Sequence, residues 1–287
     1  MLLSAPSGKG MRMPYPRAYV YVLLVMAVIA AGFWPSYFAV WGSVPWQFHA
    51  HGVAASLWVM VVLAQSWTAH HGRLSLHRAV GLSSLLLFPF LIGGLAAIID
   101  VTAKGYAAAD HPVRMMFGGP FLIGLALAIA AYVTVYYRAL KYRREVWIHS
   151  GYMLTTSLIL FESPFGRVLN QYMPGLTIGG PEDLHRIMPA ILWSMAIELA
   201  FIAAVWLKYR EKATPFLVAG LFIVAQMLTM GPLGDTAWFK SLMVMLGNAP
   251  SAAIVATGVA AGTLTSWAGW QAGRRPAVPI AGTAQPA

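Results

Sequence analysis

Long apolar stretches recur along the chain, separated by short polar joints rich in Arg, Lys, Gly and Pro. A helix that crosses a bilayer needs about 20 mainly apolar residues, because the hydrocarbon core is about 30 Å thick and each residue rises about 1.5 Å. On that measure the pattern predicts helices over about 18–40, 50–70, 79–101, 117–137, 148–170, 188–207 and 215–234, with an eighth over about 250–271. The eighth is rich in Ala, Gly, Ser and Thr, so it is less apolar but suited to close packing through small residues. Residues 236–247 read as a short helix in the membrane interface, with Trp238 and Phe239 at headgroup level beside Lys240. The fold class is therefore all-α: a polytopic transmembrane helical bundle of seven or eight spanning helices over residues 18–272. A cytoplasmic basic tail, 1–17, precedes it, and a disordered cytoplasmic tail, 273–287, follows.

The joints carry the orientation signal. With the N-terminus in the cytoplasm, Lys9, Arg12, Arg17, Arg73, Arg78, Arg138, Lys141, Arg143, Arg144, Lys208, Arg210, Lys212, Arg274 and Arg275 fall inside, and only Lys104, Arg114, Arg167, Arg186 and Lys240 fall outside. Bases concentrate on the cytoplasmic side of membrane proteins, which supports this orientation in the cell inner (cytoplasmic) membrane. It also favours eight spans, since only an even number returns Arg274 and Arg275 to the cytoplasm.

Composition narrows the chemistry. Of 287 residues, 59% are hydrophobic and 10% charged, against roughly a quarter charged in soluble domains. The net charge of +10 lies at the helix flanks rather than in a soluble basic domain, so the lipid bilayer and not nucleic acid is the expected partner. No cysteine occurs, which excludes disulfides, thiolate metal sites and cysteine nucleophiles. Walker, GxSxG, HExxH and dinucleotide-binding patterns are also missing. The 11 Trp and 15 Met residues fit interfacial belts and helix packing.

Histidine is the informative residue. His49, His51, His111 and His185 fall toward the outside, and His70, His71, His77 and His149 toward the inside. His51 and His70 lie on one predicted helix, about 28 Å apart at 1.5 Å per residue, so the two groups cannot share one metal. On the inner side, His77 and His149 open different helices. Two such imidazoles suit the axial ligation of haem b, with Met153 as a second possible ligand and Arg78, Arg143 and Arg144 facing the propionates. His70 and His71, and separately His51, are further metal-ligand candidates. An outer set of Asp100, Asp110, His111, Glu182, Asp183 and His185 offers ligands for a divalent ion with His51.

Ionisable residues inside a membrane are costly, which marks Glu162 and Glu198 as candidates for a ligand or proton site. Glu162 precedes Pro164, which kinks a helix, and Arg167 follows within reach as a pairing partner. Gln65 and Gln226 read either as hydrogen-bonding bridges between helices or as ligand contacts.

The order His51-Gly52, Trp58, Gln65, then Gly72-Arg73-x-x-Leu76-His77-Arg78-x-x-Gly81, then His149-x-x-x-Met153 and Arg167, resembles a widespread group of uncharacterised bacterial polytopic membrane proteins. The resemblance runs from Pro35-Ser36 to Pro215 and implies the same helical architecture. More distantly, the LHRxxG and HxxxM placements are similar to membrane proteins of cytochrome b type, which implies haem at His77 and His149. Matched histidine pairs at both faces, needed for a two-haem path, are not evident.

Three functional classes follow. One is a haem- or metal-binding redox protein. Another is a small-solute or proton-coupled transporter built on Glu162, Arg167, Glu198 and Gln226. The third is a non-catalytic subunit of a membrane complex or homo-oligomer.

Overall fold

In a computed structural model of the chain, residues 13–274 are described, and all regular structure among them is helical. The basic residues Lys9 and Arg12 and the tail from Arg275 onward lie outside the described residues. Ten helices follow in order: α1 (Ala18–Phe33), α2 (Trp46–His70), α3 (Leu74–Ala107), α4 (Pro112–Lys141), α5 (Val146–Ile159), α6 (Glu162–Tyr172), α7 (Ile187–Tyr209), α8 (Thr214–Gly234), α9 (Ala237–Gly247) and α10 (Ser251–Ala272). Six stretches are long and apolar enough to cross a membrane: Ala18–Phe38, Trp46–His70, Leu74–Ala107, Pro112–Lys141, Pro181–Gly234 and Ser251–Ala272. The fifth holds both α7 and α8, joined by a tight turn at Arg210–Ala213. Such helices fit a lipid bilayer and describe a multi-pass membrane protein.

Neighbouring helices run antiparallel, as short turns require. Gly94 of α3 abuts the backbone of His51 on α2, while Gly81 abuts the Gln65 side chain nearly four turns further along α2. In the same sense, His149 of α5 bonds the Ala139 carbonyl of α4, and Tyr132 of α4 bonds the Thr156 carbonyl of α5. The turns α2–α3, α4–α5 and α7–α8 thus share one end, here the base. The turns after α1 and α3 share the other, here the rim.

Small residues set how closely the helices approach. Gly258 and Gly262 of α10 lie against the backbone of α3 at Ile92 and at Phe88 and Pro89, and Gly269 lies against Tyr137 and Leu140 of α4. Gly119 of α4 meets the Gly234 carbonyl of α8. Without water to expel, membrane helices gain association energy from such close packing. The central core is aromatic: Trp58, Phe88 and Tyr136 are fully buried and mutually in contact, with Trp58 and Tyr136 edge to face at 5.2 Å. Leu86, Leu221 and Leu228 instead point outward, at 74%, 70% and 69% exposure, as lipid-facing side chains do.

Two expectations change. The stretch 148–170 is not one helix, because it divides at Leu160 and Phe161 into α5 and α6. Pro164 supplies the reason: it has no amide hydrogen for the Leu160 carbonyl, and its ring crowds that carbonyl. The short helix expected over 236–247 is present as α9, but of its two adjacent aromatics only Trp238 is exposed; Phe239 and the fully buried Met243 turn inward against α3 and α4. The last residues of the basic tail are anchored as well. Tyr15 donates to the Lys212 carbonyl at 2.6 Å and packs edge-on against Trp147, Tyr209 and Phe216. Burial pushes its phenol well above the usual tyrosine range.

Gly262→Leu drives a side chain into Phe88 and Pro89 and is expected to cost about 1–3 kcal/mol or more. Gly42→Ala, in open space, is expected to stay within about 0.5 kcal/mol. Equilibrium unfolding of both variants in detergent micelles checks the contrast.

Candidate functional site

Polar side chains inside the bundle gather at two levels. At the base, four histidines sit on helix ends, and each Nδ1 is engaged by a backbone carbonyl. His70 bonds Ser66 at 2.6 Å, His71 bonds Trp67 at 2.7 Å, His77 bonds Gln65 at 3.2 Å and His149 bonds Ala139 at 2.8 Å. A carbonyl only accepts, so Nδ1 carries a proton in each ring, and Nε2 is the nitrogen left to meet any other group. The His77 contact is reciprocated, since Gln65 Nε2 donates to the His77 carbonyl at 2.8 Å and locks α2 to α3.

His77 and His149 lie close enough to interact electrostatically. Their surroundings differ from the haem expectation in detail. Met153 is buried in the aromatic core, while Arg78 and Arg144 are exposed. Arg143 is committed to α10, donating to the Leu140 and Trp270 carbonyls at 3.0 Å and lying 4.4 Å over the Trp270 ring. Burial, with the neighbouring Arg144 and Arg274 guanidiniums, holds it below the usual arginine range. His71 stacks on Trp67 at the surface, and His70 Nε2 is buried without a partner. Among the described residues no three His, Asp or Glu side chains come together to hold a metal ion.

The outer carboxylates are dispersed too. Asp100, fully buried, accepts from Lys104 and from Gln47 Nε2 at 3.0 Å, and Lys104 also donates to Ser251 of α10. Asp110 pairs with Arg114, and Asp183 with Arg186 at 3.0 Å. His185 bonds the Glu182 carbonyl at 2.8 Å. The expected ion site with His51 is thus replaced by local ion pairs, of which Asp100–Lys104 ties together the rim ends of α2, α3 and α10.

A different cluster occupies the rim half, beside the interruption between α5 and α6. Glu162 stands in the first turn of α6. That helix is held by Ser194 Oγ, donating to the Glu162 carbonyl at 3.1 Å, and by Gln171, donating to the Gly32 carbonyl at 2.9 Å. Gly32 meets the Pro164 carbonyl with no room for a Cβ, so α1 presses on the interruption. Arg167 does not form the expected ion pair with Glu162. Its Nη1 donates to the Ser163 carbonyl at 2.9 Å and to Ser163 Oγ at 2.7 Å, and its guanidinium lies 4.6 Å over Phe33. It remains within electrostatic reach of both Glu162 and His51 of α2.

Glu198, one turn basewards of Ser194 on α7, is 1% exposed and lies within electrostatic reach of Glu162 and of Tyr132. Two atoms of this cluster, His51 Nδ1 and Glu198 Oε1, are buried and accept or donate no hydrogen bond. Beneath them the packing is dense. Tyr132 donates to the Thr156 carbonyl at 2.8 Å and Trp58 Nε1 to Thr156 Oγ1 at 2.9 Å.

Gln226 donates to the Gly124 carbonyl at 2.7 Å and so joins α8 to α4 away from this cluster; like Gln65, it bridges helices. Tyr132 was not singled out from sequence. The available signal was a phenol in the middle of an apolar helix.

Compared with known proteins, the chain matches no family model, no curated protein and no solved structure.

Asp100→Ala strips the counter-ion from Lys104 and the acceptor from Gln47, and is expected to destabilise by about 1.5–3 kcal/mol. Chemical unfolding in micelles measures this, and a loss below about 0.5 kcal/mol would show that the rim tie is dispensable.

Proposed function

We propose that the chain is a multi-pass protein of the cytoplasmic membrane that takes up a small anionic solute at Arg167 and His51, beside the interrupted helix pair α5–α6. One observation carries this reading: His51 of α2 and Glu198 of α7 each bury a polar atom without a partner, and they lie within electrostatic reach of Arg167 and Glu162 respectively, beside a break in a membrane helix. Ionisable groups at membrane depth are expensive, and interrupted helices are where secondary transporters place their substrate sites. Arg167 has no carboxylate within 4 Å among the described residues. A guanidinium without an ion-pair partner, next to the positive end of α6, suits a carboxylate or similar anion. In this reading the helices cross eight times. Six crossings are α1 to α4, α7 and α8; α10 and the broken pair α5–α6 supply the other two. The base, which carries most of the loop arginines and lysines, faces the cytoplasm with the N-terminus.

A second reading has its own support. His77 and His149 both hold Nδ1 on a carbonyl and present Nε2, the arrangement of an oriented metal-ligating histidine. They would hold haem b, with Arg78 and Arg144 toward the propionates, and the haem would supply one-electron chemistry.

The natural lack of cysteine makes topology directly testable. Asp235→Cys is expected to react with a membrane-impermeant maleimide in intact cells, and Arg144→Cys and Arg274→Cys only after lysis. Labelling of Arg274→Cys in intact cells would overturn the eight-crossing arrangement.

A panel of small mono- and dicarboxylates, scanned by thermal unfolding of the purified chain, tests the site. A ligand at about 100 times its Kd adds about 2.7 kcal/mol to wild type, and Arg167→Gln is expected to abolish that gain. No stabilisation of wild type by any of the panel would sink the solute reading. A dithionite-reduced absorption spectrum of the same preparation decides the second: a haem band lost in both His77→Ala and His149→Ala supports it, and colourless folded protein discards it.

A further inference from the structure

Glu198 is the one ionisable group that the site leaves unexplained. Its side chain is 1% exposed, Oε1 has no hydrogen-bond partner, and no Lys, Arg or His nitrogen lies within 4 Å of it among the described residues. The groups around it offer no compensation for a negative charge. On α6, Glu162 lies within its electrostatic reach, with Arg167 a turn and more beyond, and on α4 so does Tyr132. On α8 no residue from Thr214 to Gly234 is ionisable. The short turns that flank α7 carry Glu182, Asp183, His185 and Arg186 at the rim, and Arg210, Glu211 and Lys212 at the base, all at its far ends. An isolated ionised carboxylate in such surroundings is among the costliest groups a protein can bury, whereas the neutral acid is not.

We propose that Glu198 is a proton-carrying acid whose proton exchanges with water at the rim through Glu162, so that the site couples a proton to its solute. The inference rests on the reading of this cluster as a solute site. The route follows from the packing. Ser194, one helical turn rimward of Glu198, bonds the backbone of Glu162, which places the two carboxyl-bearing residues on successive levels. Glu198 is fully buried, Glu162 half-buried and Arg167 exposed, so among the charged residues of the cluster exposure rises toward the rim. Toward the base it does not rise: Tyr132, Trp58, Tyr136 and Tyr152 are each at most 2% exposed, and the first two are pinned by Thr156. The transfer itself is simple. The Glu198 acid gives its proton to the Glu162 carboxylate, and the Glu162 acid then releases it to water, leaving net charge within the pair unchanged at the first step.

Infrared difference spectroscopy on the full chain in micelles tests this without a known solute. Wild type at neutral pH is expected to show a protonated-carboxyl band that shifts when H2O is exchanged for D2O. Glu198→Gln, a neutral match for the acid, is expected to fold and to lack the band. Glu162→Gln is expected to keep the band but slow its shift by about a hundredfold, the loss typical of removing a positioned proton donor. A band unchanged in Glu198→Gln means that Glu198 is ionised, and the proposal fails; a band whose exchange is indifferent to Glu162→Gln overturns the route. If Glu198→Gln does not fold, Glu198→Asp must move the band. Failure of the carboxylate panel to stabilise wild type would leave these spectra untouched, so the solute reading and the proton reading fall separately.

Discussion

A backbone amide or carbonyl in hydrocarbon has no water to bond, so a chain in a membrane must satisfy those groups from within itself. That constraint dictates the helical character of the described residues and the brevity of their turns. It also gives meaning to the interruption at Leu160 and Phe161, where Pro164 forbids the ladder to continue. A break of this kind is stable only where protein shields it. Here α1 covers it through Gly32, and α7 covers it through Ser194. Around the shielded break the ordinary prohibition on charge is relaxed, and Glu162, Arg167, His51 and Glu198 collect there.

The two polar levels of the bundle solve the same problem differently. At the base, imidazoles are fixed by backbone carbonyls near helix ends. Each histidine there does structural service at Nδ1 while leaving Nε2 uncommitted, so a structural role and a ligand role do not exclude one another. At the rim, the carboxylates of Asp100, Asp110 and Asp183 are each matched to a cation on the same or the next turn. Glu162, Arg167 and Glu198 are conspicuous because none of them is matched in this way.

Much of the architecture was legible in the sequence because hydropathy over about 20 residues is dictated by the thickness of the bilayer. The predicted spans agree with the helices to within a few residues at most ends, and the extensions of α3 and α4 beyond them are polar turns that hydropathy does not count. Glu162, Arg167 and Glu198 were identifiable as residues of the wrong polarity for their depth. Their mutual arrangement was not. Arg167 stands five residues after Glu162 and reads as its partner, yet Ser163, four residues before Arg167, claims the guanidinium instead. Asp100 read as an ion ligand although Lys104 stands only four residues on, because Gln47 of α2 and Ser251 of α10, which complete the network, come from helices far apart in the chain. Tyr132 became relevant only once the fold brought it within electrostatic reach of Glu198 on α7. Depth is a one-dimensional property and could be read; facing is three-dimensional and could not.

The glycine face of α10 also bears on how the bundle is assembled. Helix α10 is the least apolar of the stretches able to cross a membrane, and its Gly258, Gly262 and Gly269 spend their contact surface on α3 and α4 rather than on lipid. A segment of that kind gains little by partitioning alone and much by docking on a wall already standing. Because it follows α3 and α4 in the chain, it leaves the ribosome after them. Chain order thus suits a helix whose small residues need a wall to dock on.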